Sequence, residues 1–366
     1  MQRFTTLKLA SFVFGLLVTA SCWGPGADDT NDDSSIHGEP EPIYGEDQVV
    51  TVFEREHVYF GDENRRQVDT TVTMPPADHL FESVTMTVML SCPMWGGPTS
   101  RCDAWDRYGW LAVVENAGEE EETVIEFWRF ITPYGVGGQW EVDITDLRPL
   151  FSGDLTFRVF IDTWVGPGHE SGDGWAVDLA FDYKGGTPEQ VPVAVLPVWT
   201  SHSFVYGDPA VSVDPAAQTT LTLPEGVSKG TLRVLVTGHG QGNAENCAEF
   251  CAKTHTVTAG DVSRPTLLWR DDCAETAVPN QLGNWEYGRA GWCPGAFVYP
   301  WVEDISSAIE AGQELTISYA VEPYVNTCRP DAETCTGCVF GTGCDYNGSS
   351  HTPPNYVLSG LLTLYK

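Results

Sequence analysis

From Val49 onward, apolar and polar residues alternate in short runs set off by turn residues, and a period of two predicts β-strands. In Ser83–Leu90, Val84, Met86, Val88 and Leu90 share one face. Leu155–Trp164 puts Leu155, Phe157, Val159 and Ile161 on one face and Arg158, Phe160, Asp162 and Trp164 on the other. Trp175–Tyr183, Thr231–Thr237, Glu314–Val321 and Tyr356–Tyr365 read as further strands. Helical periodicity is scarce, so the pattern predicts an all-β protein of sandwiches or jelly rolls. The run Asp182–Val191 carries Gly185, Gly186 and Pro188 and reads as a domain boundary. It divides an N-terminal domain, 49–186, from a C-terminal domain, 187–366, each of ordinary size.

Ahead of the strands lies a different pattern. Residues 1–22 combine the basic Arg3 and Lys8 with an apolar run, Leu9 to Val18, which is long enough for a signal peptide and too short to span a bilayer. No comparable run follows, so no transmembrane span is expected. Thr19-Ala20-Ser21-Cys22 resembles a lipobox with Thr19 in place of the usual Leu; ordinary cleavage after Ala20 is the competing reading. Residues 23–48, rich in acids and poor in apolar residues, read as a disordered acidic linker. The chain is thus expected to be exported, as a cell-surface or periplasmic lipoprotein anchored at Cys22 or in freely secreted form.

The charge balance narrows the partners. Against 19 Lys+Arg stand 51 Asp+Glu, a net of −32 over 366 residues. Such a surface repels phosphate and excludes nucleic acid as a partner. The eight His show no H-x-H or H-H cluster, which argues against a copper monooxygenase on paired jelly rolls. We expect no cofactor, no metal and a monomer.

There are 11 Cys, and with Cys22 lipidated ten remain, an even set for an oxidising compartment. Cys92 and Cys102, Cys247 and Cys251, and Cys273 and Cys293 bracket local loops. Cys328, Cys335, Cys338 and Cys344 sit in a Cys-rich insertion, 326–350. Two disulfides there allow three connectivities, and the C-x2-C within it leaves a zinc site as the other reading.

Two of the bracketed loops set an acid beside an aromatic: Trp105-Asp106-Arg107 and Glu249-Phe250. Asp162 lies two residues from Trp164. Such pairs suit a carbohydrate, because an indole face packs on the apolar face of a sugar while carboxylates take its hydroxyls. Neighbouring carboxylates also raise one another's pKa into a range useful for acid–base work.

Five motifs follow in order: Cys102-Asp103-Ala104-Trp105-Asp106-Arg107-Tyr108, Arg129-Phe130-Ile131-Thr132-Pro133-Tyr134, Asp143-Ile144-Thr145-Asp146, Cys247-Ala248-Glu249-Phe250-Cys251 with Thr254-His255-Thr256, and Arg289-Ala290-Gly291-Trp292-Cys293-Pro294-Gly295. Together they resemble the peptide:N-glycosidase F family, bacterial amidases that release N-glycans from asparagine. The resemblance covers about 92–183 and 230–305. It implies two jelly-roll domains side by side and disulfides 92–102, 247–251 and 273–293. It also implies catalytic acids at Asp106, Glu249 and Asp162, an arginine at Arg289, and N-glycosylated proteins or glycopeptides as substrates. On this reading Trp164 and Trp292 stack on sugar, Arg289 offsets the clustered negative charge, and Arg107 either contacts substrate or locks its loop. His255 reads as structural.

Three departures stand out. Asp162 is one methylene shorter than the family Glu, His239 stands where the family has a tryptophan at the site, and the Cys92–Cys102 loop is longer and contains Met94-Trp95-Gly96-Gly97. They motivate the alternative of a catalytically inactive surface glycan-binding protein on the same fold.

Overall fold

The computed structural model describes residues 41–93, 101–209, 218–241, 247–326 and 352–366. The leader with Cys22, the Met94–Gly97 segment and the cysteines at 328, 335, 338 and 344 lie outside the described residues.

The first half runs through β1 (Ile43–Tyr44), β2 (Gln48–Phe60), β3 (Asn64–Arg65), β4 (Gln67–Met74), β5 (His79–Ser91), β6 (Tyr108–Glu115), β7 (Thr123–Ile131), β8 (Gly138–Asp143), β9 (Gly153–Ile161) and β10 (Trp175–Gly185). The second half continues with β11 (Pro192–Val205), β12 (Gln218–Thr222), β13 (Lys229–Gln241), β14 (Lys253–Ala259), β15 (Val262–Leu268), β16 (Ala296–Phe297), β17 (Trp301–Asp304), β18 (Glu314–Val321) and β19 (Thr352–Tyr365). One turn of helix, α1 (Cys273–Thr276), opens the Cys273–Cys293 loop. Among the described residues no helix is long and apolar enough to cross a membrane.

Two sandwiches result. In the first, a sheet ordered β1-β5-β10-β2-β3, with β8 also on β5, faces a sheet ordered β16-β7-β6-β9-β4. In the second, β11-β19-β13-β17 faces β12-β18-β14-β15. The period of two explains both. Val84, Met86, Val88 and Leu90 of β5 meet Phe157, Val159 and Ile161 of β9 in one core, while Leu232, Val234 and Val236 of β13 meet Val257 and Ile317 in the other. Each such side chain contributes about 1.5–3 kcal/mol by leaving water.

Two expectations need correction. The acidic linker does not run unstructured to Gln48: Ile43 and Tyr44 pair in parallel with His79 and Leu80, and the Gly45 N–H donates to the Leu80 carbonyl at 2.9 Å. The strand expected over 155–164 ends at Ile161. The Asp162 N–H still reaches the Tyr108 carbonyl at 2.8 Å, but the next side chain, Thr163, bonds sideways to Asp103.

The sandwiches meet along β7, whose residues Ile125–Ile131 are all buried because the strand lies between one core and the other sandwich. Arg129 of β7 pairs with Glu126 at 2.6 and 2.7 Å and donates to the Val357 carbonyl (2.7 Å) and the Thr237 hydroxyl (3.1 Å) of the second sandwich. Ala296 and Phe297 add β16 to the edge of β7, so the second half completes a sheet of the first. Ile131, Leu235, Trp292 and Val298 seal the seam as a small apolar cluster.

Candidate active site

The loop before β6 is built around Asp103, which is fully buried. Its carboxylate accepts the Trp105 N–H (3.0 Å), the Arg107 Nε (2.7 Å) and the Thr163 hydroxyl (2.7 Å). The Cys92–Cys102 disulfide closes the loop behind it. Gly172 has φ +127°, and a Cβ there would strike the Cys102 carbonyl, so the crossing demands glycine. Arg107 therefore locks the loop, through Asp103 and through its N–H to the Thr132 hydroxyl at 2.8 Å. This frame fixes Asp106.

The Tyr134 side chain faces Asp106 closely enough to favour its carboxylate. Tyr134 is in turn held by the second half: its N–H donates to Gln281 Oε1 at 2.9 Å and its carbonyl accepts the Leu282 N–H at 3.1 Å. Gln281 also donates to the Val278 and Pro294 carbonyls, both at 2.8 Å, which pins the Cys273–Cys293 loop against the first sandwich.

Glu249 comes from that second sandwich. The Cys247–Cys251 disulfide tightens its turn, and the turn lies so close to β13 that a Cβ on Gly238 would overlap the Ala248 carbonyl. Glu249 Oε2 accepts the Gly240 N–H at 3.2 Å, and its Oε1 lies 3.4 Å from Arg289 Nε. Arg289 is 5% exposed and is oriented by its donations to the Tyr287 (2.8 Å) and Asn284 (3.0 Å) carbonyls. Its guanidinium lies between Phe250 and Trp292, 5.5 and 5.0 Å from their ring centres.

The charges of these groups are coupled. Burial pushes Glu249 up to about 8; Arg289 pulls it back, and the negative charge of Asp106 adds to the rise. Burial also raises Asp106, against the Tyr134 side chain and Arg289. Two carboxyl groups from different sandwiches thus feel one arginine, and burial pushes the proton affinity of both upward.

Asp162, expected beside them, pairs elsewhere. Its Oδ1 accepts Arg66 Nη1 at 3.0 Å, and Arg66 lies 4.2 Å over the Trp164 ring centre. Trp164 is 51% exposed and open to a ligand. Trp292, expected to stack on sugar, is not open: it is 3% exposed, donates through Nε1 to the Gly238 carbonyl at 2.7 Å and packs in the seam. His239, expected at the substrate rim, stacks on Trp292 at 5.5 Å and bonds the Thr237 hydroxyl at 2.8 Å. Burial there pushes its pKa down to about 3, leaving a neutral ring that fills the seam.

Sequence reasoning missed Tyr134, Gln281 and Arg66 as members of this constellation. Tyr134 stood inside a quoted motif, but its partner is chosen only when the sandwiches dock. Glu126 and Arg129 left a signal: two opposite charges inside an otherwise apolar strand are costly to bury unless paired.

Comparison with known proteins agrees with this architecture. The family model described as peptide-N-glycosidase F, N terminal, matches residues 115–173, and the one described as peptide-N-glycosidase F, C terminal, matches 208–336. Peptide-N(4)-(N-acetyl-beta-D-glucosaminyl)asparagine amidase F of Elizabethkingia miricola is 29% identical over 291 residues, 76% of this chain and 78% of the relative. The solved structure of PNGase F, a glycosylasparaginase from Flavobacterium meningosepticum, superposes with a TM-score of 0.69 at 24% identity, over 88% of this chain and 96% of that one. PNGF-II superposes with a TM-score of 0.62 at 18% identity, over 87% of this chain and 65% of that one. The two structural likenesses speak for the fold. The two family models together span just over half of the sequence, one on each sandwich, and the chain belongs to the peptide-N-glycosidase F family.

Proposed function

We propose that the protein is a peptide-N-glycosidase: it hydrolyses the amide joining N-acetylglucosamine to an asparagine side chain, releasing the glycan and leaving aspartate in the peptide. The observation that carries this reading is that Asp106 and Glu249, from separate sandwiches, both feel one buried cation, Arg289. Membership in a family of glycan-releasing amidases supports it.

In this mechanism Asp106 takes a proton from the attacking water, and the water oxygen bonds the amide carbon. Glu249 carries a proton at neutral pH and delivers it to the departing nitrogen as the C–N bond breaks. The glycosylamine leaves and later loses ammonia in solution. Arg289 keeps the two acids together by offsetting their charge. Asp162 and Trp164 contact the glycan rather than the breaking bond, and Arg107 and Trp292 support the site from behind. Asp106, now protonated, and Glu249, now ionised, return to their starting states by exchanging protons with solvent, and the new carboxylic acid of the peptide ionises to carboxylate.

The test is incubation with an N-glycopeptide followed by mass spectrometry. One Asn→Asp conversion for each glycan released is expected. Glycan binding without conversion would overturn the amidase reading and leave a glycan-binding protein.

Export belongs to the same reading. The disulfides Cys92–Cys102, Cys247–Cys251 and Cys273–Cys293 suit an oxidising compartment, where N-glycoproteins are met. An acylated Cys22 and the acidic stretch that follows would hold the enzyme at a membrane surface. On the same reading the domains are 49–186 and 187–366, divided in the connection between β10 and β11.

A further inference from the structure

We infer that Arg66 is a glycan-specificity residue: it clamps Asp162 and one side of Trp164 into a platform for a neutral pyranose ring beside the reacting amide. The inference rests on the proposed glycan-releasing activity and assigns it a residue that neither the motifs nor the family models single out.

Arg66 joins β3 to β4 and is fixed on every side. Its carbonyl accepts the Ile161 N–H at 2.9 Å. Its Nε and N–H both point at Asn64 Oδ1, at 3.0 and 3.4 Å. Its Nη1 donates to Asp162 at 3.0 Å, and its guanidinium carbon lies 4.2 Å from the Trp164 ring centre and 5.2 Å from that of Phe60. A flat cation stacked on an indole is a stiff arrangement, and it holds the ring in one orientation.

Despite Arg66 and Phe60 beside it, Trp164 remains 51% exposed. An indole kept rigid and half in water offers an apolar surface for the C–H face of a sugar. Asp162, its side chain 44% exposed, offers its second oxygen as an acceptor. Arg66 has N–H donors left beyond those already engaged, since a guanidinium carries five. A lone carboxylate can only accept; the ion pair both accepts and donates, which matches the vicinal hydroxyls of a neutral sugar.

The platform is stitched to the Asp106 loop. The Asp162 N–H bonds the Tyr108 carbonyl at 2.8 Å, and the Thr163 hydroxyl bonds Asp103 at 2.7 Å. A ring seated on Trp164 would therefore keep a fixed offset from Asp106, as required of a sugar belonging to the same glycan.

The experiment compares wild type, Arg66→Ala and Arg66→Lys. Binding of a free high-mannose oligosaccharide is measured by calorimetry, and KM and kcat are measured on the matching glycopeptide. Arg66→Ala should weaken oligosaccharide binding and raise KM about tenfold, with kcat held within about twofold. Arg66→Lys keeps the charge without the flat stack and should fall between. Unchanged binding and KM in Arg66→Ala overturn the inference, as does a fall in kcat alone. If Arg66→Ala does not fold, Arg66→Lys decides by the same readouts. A wild type that binds the oligosaccharide without cleaving the glycopeptide refutes the amidase reading only, and the binding arm still tests Arg66; a wild type that does neither refutes both.

Discussion

Arg289 Nε lies 3.4 Å from Glu249 Oε1, and Asp106 of the opposite sandwich presses its charge on the same two groups. Glu249 holds its proton up to about 8 when folded, against an ordinary 4.5. Between those values the unfolded chain gives up the proton and the folded one keeps it. Stability should therefore fall across that window, by about 1.4 kcal/mol per pH unit at most, and change no further above it. Glu249→Gln removes the group. Its stability advantage over wild type, read by urea denaturation at pH 5, 7 and 9, should grow and then level off; a constant difference would show that Glu249 is not protonated at neutrality.

The same proton should govern glycan release in the proposed mechanism. Glycan release should decline as pH rises through about 8, the value at which Glu249 ionises. Glu249→Gln should lose most activity and also the alkaline limb of whatever remains.

Asp106→Asn should cut release by at least about a hundredfold, the lower end for a general base, while leaving the melting temperature nearly unchanged. Retention of more than a tenth of wild-type activity means under about 1.4 kcal/mol of transition-state stabilisation was lost. That is too little for the residue proposed to activate the water.

Arg129→Met should destabilise the protein by about 3–5 kcal/mol, because it strands the buried carboxylate of Glu126. It should also depress activity, since Arg129 ties β7 to Thr237 and Val357 across the seam. The double change Glu126→Gln with Arg129→Met should recover much of the stability. Urea denaturation of the three variants measures this; a double variant as weak as the single would assign the loss to the cross-seam hydrogen bonds instead.

The two tryptophans expected to bind sugar should separate. Trp292→Ala should cost about 3–5 kcal/mol, as for a large core residue. Trp164→Ala should cost under about 1 kcal/mol and appear instead as a raised KM. Thermal melts and kinetics on one glycopeptide distinguish them.

Intact mass of the mature protein from its native host should show an S-diacylglyceryl group on Cys22, with or without a further acyl chain on its α-amino group. An unmodified N-terminus at Ser21 would leave plain secretion. Non-reducing peptide mapping should find two further disulfides among Cys328, Cys335, Cys338 and Cys344; stoichiometric zinc there would overturn that assignment.

The sequence by itself determined the strands, because a period of two is a local property: Val84, Met86, Val88 and Leu90 face a core wherever β5 is placed. Through five motifs in order and the family resemblance they carry, it also implied the three local disulfides, which the structure forms, and singled out Asp106 and Glu249 as candidate acids. Only the tertiary structure decided which side chains face one another. Trp164 and Trp292 look alike as letters, yet one is 51% exposed and the other lies in the seam at 3%. Asp162 carries the same charge as Asp106, yet Arg66 claims it from another strand. Tyr134 meets Asp106 because Gln281 and Leu282 hold its backbone from the other sandwich. These contacts depend on how two sheets dock, and docking is set by the summed packing of many residues across β7 rather than by the neighbours of any one of them along the chain.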